Sequence, residues 1–237
     1  MTAAPPPVPD LAAVDAATRR FLDTARDVTD AELTAPSLLP GWTRGHLLAH
    51  VARNADSLVN LLTWARTGVE TPQYPTPTTR DAEIAAGAGR PLAEQYADNE
   101  AAAARWAEVA AALPAEAATA VVRNRQGREF PAAAIGWMRL QEVEIHHVDL
   151  AAGYTAADWP AEFVARLLPE VVAAHGLSAG KHLAFEVRAD DTGFGATVGA
   201  GDPGTVITGP AAALLAWLIG RGATGLTGDL PELPAWR

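Results

Sequence analysis

Between residues 10 and 155, apolar side chains recur at intervals of three and four, as in helices that bury one face. Leu11, Val14, Phe21, Leu22 and Ala25 form one such stripe on a helix predicted over residues 11–28, with Asp10 placed to cap it. Pro36, Pro40 and Gly41 break the pattern. Thr43 then caps a second helix, which carries Leu47, Val51, Leu58, Leu61 and Leu62 as far as Thr67, where Gly68 can stop it. The three prolines of TPQYPTPTT predict an extended loop that lies over a pocket, followed by a short helical piece at 81–86. A third long helix is predicted over 91–113, with Pro91 at its first turn. Val121, Val122, the turn-like NRQG and Phe130 predict a small hairpin. Pro131 opens a fourth long helix through Trp137, Met138, Glu142 and His146 to about Ala152, ended by Gly153. Four such helices predict a bundle.

The pattern changes after Tyr154. WPAEFVARLLPEVVAAHGL reads as a helix interrupted or restarted at Pro169, and LAFEVRA alternates as a strand with Leu183, Phe185 and Val187 on one side. GATVGAG and GTVITG repeat the strand pattern in short form, and PAAALLAWLIGRGA returns to helix. The fold class expected is α+β: a four-helix bundle over residues 1–155 and a smaller α+β domain over 156–237.

Composition narrows the function classes. A formal net charge of −10, with no run of Lys or Arg, argues against a nucleic-acid surface. MTAAPPPVPD lacks the basic and apolar regions of a secretory signal, and no long uninterrupted apolar window occurs, so no membrane partner is expected and the cytoplasm is the default location. The absence of cysteine excludes thiolate-bound zinc, iron–sulfur clusters and a cysteine nucleophile, so any thiol chemistry must use a thiol brought from outside.

Glu142 and His146 are four residues apart, on one face of a helix, and His50 on another helix could meet them to hold a divalent ion with positions left open. Spacing alone leaves rivals. Glu144 and His147 offer a competing pair on a different face of the same helix. His46 and His50 form an H-x-x-x-H, but Leu47 stands where a zinc peptidase needs its glutamate.

LPGWTRGHLLAHVARNADSLVNLL and GWMRLQEVEIHHVDLAAGY, supported by TTRDAEIAAGAGR, GPAAALLAWLIGRGATGL and LPELPAW, resemble the mycothiol-dependent maleylpyruvate isomerase family, a branch of the DinB-like metal enzymes. The resemblance spans nearly the whole chain. It implies a metal held by His50, Glu142 and His146, a carboxy-terminal domain that helps close the site, and mycothiol as thiol cosubstrate. Zinc is the first candidate, although the ligand types also suit nickel, iron or manganese. The implied reaction is reversible addition of the thiolate to the cis double bond of maleylpyruvate or a related cis-enedicarboxylate. Arg221, which the resemblance marks as important for activity, and the weaker candidate Arg80 are expected to meet the substrate carboxylates. His147 and Asp149 are candidates for orienting a ligand. Two alternatives remain at this level: a mycothiol S-transferase, and a helical binding module without chemistry.

Overall fold

The computed structural model describes residues 8, 10–178, 184–200, 202–234 and 236. The chain divides into two compact units, Met1–Tyr154 and Thr155–Arg237. The first is helical: α1 (Leu11–Arg26), α2 (Arg44–Thr67), α3 (Thr79–Ala88), α4 (Leu92–Ala111) and α5 (Ile135–Asp149), with a hairpin of β1 (Val121–Arg123) and β2 (Glu129–Pro131) before α5. α1, α2, α4 and α5 are the four long helices of the bundle, and α3 is a shorter addition packed on α2.

α2 is the central element because it is apolar on more than one face. Leu47, Leu48, Ala52, Val51, Ala55, Leu58, Leu61 and Leu62 are all buried, and they pack against α3, α4 and α5 together. Full burial of each leucine contributes about 1.5–3 kcal/mol relative to exposure. Both ends of α2 follow the sequence reading. The Thr43 side chain accepts the His46 N–H, and Gly68, at φ 72°, adopts the left-handed conformation that closes the helix.

Two expectations about helix chemistry require correction. Asp10 does sit at the start of α1, but its backbone is left-handed, at φ 73°, and its side chain forms no cap hydrogen bond; its carbonyl engages the helix, accepting from Val14 N–H at 2.9 Å. Pro169 does not interrupt its helix: α6 (Ala161–Ser178) runs through it. Phe163, Val164, Leu167, Leu168, Val171 and Val172 make a continuous buried stripe on both sides of the proline, while Pro169 and Ala165 are exposed, so the carbonyl that loses its N–H partner faces water.

The second unit adds β3 (Ala184–Ala189), β4 (Gly195–Gly199), β5 (Val206–Gly209) and α7 (Ala211–Leu218). Its sheet has the order β4-β3-β5, with β4 antiparallel and β5 parallel to β3. Phe185, Val187, Val198 and Ile207 point to the buried face, and the Phe185 ring packs edge to face with the Trp217 ring of α7, their centres 5.3 Å apart. Leu183, expected on β3, lies outside the described residues. Among the described residues no helix is long and apolar enough to cross a membrane.

Candidate metal centre

α2 and α5 run side by side in opposite senses. Going down the seam, His50 faces His146 and Glu142, and the next turn of α2, at Val51 and Asn54, faces Arg139. His50 Nε2 lies 3.1 Å from Glu142 Oε2 and 3.0 Å from His146 Nε2, and the third side of the triangle, His146 to Glu142, is 3.2 Å. Among the described residues this is the one group of three His, Asp or Glu side chains whose ligand atoms converge in this way.

The donor set fits a divalent ion. Sides of 3.0–3.2 Å are slightly tighter than the about 3.4 Å edge of a tetrahedron built on bonds of about 2.1 Å. His146 Nδ1 is 2.9 Å from Asp149 Oδ2, and donation to this fully buried carboxylate leaves the Nε2 lone pair of a neutral His146 pointing at the triangle. Among the described residues His50 Nδ1 is buried without a hydrogen-bond partner, and it is Nε2 that meets Glu142 and His146.

Electrostatics separate the three groups. Burial holds the His50 imidazolium down at about 4, with only partial relief from its hydrogen bond to Glu142. Burial also opposes ionisation of Glu142, yet hydrogen bonds from His146 and His50 outweigh it and hold the carboxyl well below the usual range. At His146 the order of causes is similar and the outcome opposite: burial disfavours the cation, but Asp149 and Glu142 raise its pKa. His50 is 5% exposed at its side chain and His146 14%, whereas Glu142 keeps 34%, so the triangle has one wet side.

The rival pair on α5 is used for packing. Glu144 is buried and receives Arg20 of α1 at 2.5 Å and the Tyr154 hydroxyl at 2.7 Å. His147 bonds Thr24 Oγ1 at 2.8 Å and stacks on Tyr154 with ring centres 3.6 Å apart. That face of α5 fastens α1. His46, the other histidine of the H-x-x-x-H, turns back to the helix start, where its Nδ1 lies 2.8 Å from Thr43 Oγ1.

Residues 14–151 match the family model of the mycothiol maleylpyruvate isomerase N-terminal domain, and residues 158–235 match that of the MDMPI C-terminal domain. The chain belongs to the mycothiol-dependent maleylpyruvate isomerase family. A crystal structure of a mycothiol-dependent maleylpyruvate isomerase is similar over 96% of this chain and 95% of its own, at 34% identity and a TM-score of 0.89. A histidine-to-alanine mutant of such an enzyme gives the same coverage and TM-score at 33% identity. No curated protein sequence matches significantly.

In this member of the family, Trp42 and Arg80 flank the triangle. The Trp42 ring is 5.3 Å from that of His50, and the Arg80 guanidinium, paired with Asp81 at 2.8 Å, lies 5.4 Å above the Trp42 ring. Arg80 is also close enough to lower the His50 pKa. Arg221 belongs to the second unit, just after α7, where it donates to the Ile219 carbonyl at 2.6 Å. Three site neighbours were not singled out by the sequence reading. Trp42 was legible only as part of the GWT loop, Tyr74 as the lone aromatic of a proline-rich loop, and Arg139 as a charge at i−3 from Glu142 on the same helical face.

Proposed function

We propose that the protein is a metal- and mycothiol-dependent cis–trans isomerase acting on maleylpyruvate or a related cis-enedicarboxylate. The observation that carries the reading is the convergence of His50 Nε2, Glu142 Oε2 and His146 Nε2 in a member of this family. These three residues would hold a divalent ion, with zinc the first candidate, and Asp149 would fix the His146 tautomer. Bound there, the ion would favour loss of the thiol proton near neutral pH and stabilise developing negative charge. With no cysteine in the chain the thiol comes from outside, and the family match supports mycothiol as its source.

The reaction balances without redox change. The thiolate adds to the electron-poor double bond, the electron pair moves onto the conjugated carbonyl, rotation occurs about the resulting single bond, and expulsion of the thiolate restores a trans double bond. Trp42 walls the His50 side, and Arg80 and Arg221 supply cationic partners for substrate carboxylates. In this reading the enzyme works in the cytoplasm.

Elemental analysis of the wild type, His50→Ala and Glu142→Gln, run beside an isomerisation assay, tests the assignment. About one divalent ion per wild-type chain, lost together with activity in both variants, is expected. Retention of the ion by both variants would remove these ligands from the reading.

A further inference from the structure

Arg139 is the largest charged side chain in the core of the bundle, at 2% exposure, and among the described residues no carboxylate pairs with it. Its Nη1 donates to the Val51 carbonyl at 2.9 Å and to Asn54 Oδ1 at 2.8 Å. Both acceptors are neutral. Among the described residues its Nε and Nη2 have no partner. Those two atoms form the edge of a guanidinium that receives a carboxylate through two parallel hydrogen bonds. Tying α5 to α2 requires only the Nη1 contacts, which a neutral amide could supply. A buried cation is costly unless it is paired, and burial already lowers this guanidinium to about 10 despite the favourable charge of Glu142.

Position on the helix gives the unused edge a purpose. Arg139, Glu142 and His146 fall at i, i+3 and i+7 on one face of α5, so the guanidinium sits one turn below the triangle. The Tyr74 side chain, near Ser57 on the next turn of α2, lies within electrostatic reach of both Glu142 and Arg139. Once Glu142 gives its charge to an ion, Arg139 loses the carboxylate that most favours it, and its need for an anion increases.

We propose that the Nε/Nη2 edge of Arg139 binds a carboxylate of the substrate beside the metal centre, making Arg139 a substrate-binding residue that fixes the dicarboxylate relative to the thiol. This rests on the metal-dependent reading above. It assigns the inner carboxylate to Arg139 and leaves Arg80 and Arg221 for other anionic groups.

The test is calorimetric titration of maleate, a cis-enedicarboxylate without a keto group, into wild type, Arg139→Gln and Arg139→Lys, each with and without zinc, with metal content measured in parallel. Expected is one ion per chain in all three proteins, maleate affinity at least tenfold weaker in Arg139→Gln, and an intermediate loss in Arg139→Lys, whose ammonium keeps the charge without the fork. Maleate affinity within twofold of wild type in a folded Arg139→Gln would overturn the proposal. A wild type that holds no ion contradicts the metal reading instead, and the metal-free titrations still decide the role of Arg139. Should Arg139→Gln fail to fold, the assigned Nε–H resonance of Arg139 in wild-type protein is followed by NMR: a shift that saturates with maleate supports the proposal, and an unmoved resonance overturns it.

Discussion

Replacing Asp149 by Asn removes a charge while keeping shape and one acceptor oxygen. Asp149 is fully buried, and its Oδ2 lies 2.9 Å from His146 Nδ1, so solvent does not screen the contact. A hydrogen bond to an ionised group contributes about 1.5–3 kcal/mol, and about 1.36 kcal/mol corresponds to a tenfold change in an equilibrium constant. Loss of that contribution from the metal-competent tautomer corresponds to roughly 10- to 100-fold weaker metal binding, the range found when such orienting partners are changed in metal sites. Competition with a chromophoric chelator at pH 7.5 measures the affinity, and urea unfolding of the metal-free protein checks that the fold persists. A change of less than about threefold in a folded Asp149→Asn protein would refute the orienting role of Asp149.

Three further predictions concern the same helices. Glu144→Ala should destabilise the protein by about 2–3 kcal/mol in urea unfolding, because it strips Arg20 and the Tyr154 hydroxyl of a buried partner, yet metal content should stay unchanged; loss of metal would show that the Glu144 face belongs to the site. Gly45→Ala places a Cβ 2.3 Å from the Ala88 carbonyl oxygen, so it should cost about 2–3 kcal/mol despite the better helix propensity of alanine, and a stabilised variant would contradict the α2–α3 packing. Metal binding should release close to one proton per ion at about pH 5.5, and the count should fall toward none as the pH rises through the raised His146 pKa. The sign follows from His146 being held protonated above its usual 6.5, while His50, at about 4, and Glu142, held well down, have already lost their protons. Affinity therefore rises with pH across that window. Calorimetry in buffers of different ionisation enthalpy measures the count, and release of two protons near pH 6.5 would contradict the assignment.

Legibility in the sequence followed the range of the forces involved. Local signals were sufficient where one residue decides the backbone: Thr43 and Gly68 bound α2, and Asn124 builds the hairpin turn by accepting from the Gln126 and Arg128 N–H groups. They failed where burial overrides propensity, as at Pro169, whose lost hydrogen bond falls on the wet side of a well-buried helix. The choice between the Glu142–His146 and Glu144–His147 faces was not legible from spacing, because both pairs are helical neighbours and only the partners across the seam, His50 on one side and Arg20 and Thr24 on the other, distinguish them. The resemblance to the family had selected the face that meets His50. Arg139 went unnoticed for a similar reason: an arginine in a helix reads as a surface charge until its neighbours bury it.

The most direct measurement is the ratio of substrate isomerised to mycothiol lost, with metal-loaded enzyme and mycothiol kept far below the substrate concentration. Catalysis by reversible thiolate addition predicts many molecules of trans product per mycothiol and no net loss of free thiol. Consumption of one thiol for each substrate converted would contradict isomerisation and identify the chain as a thiol transferase.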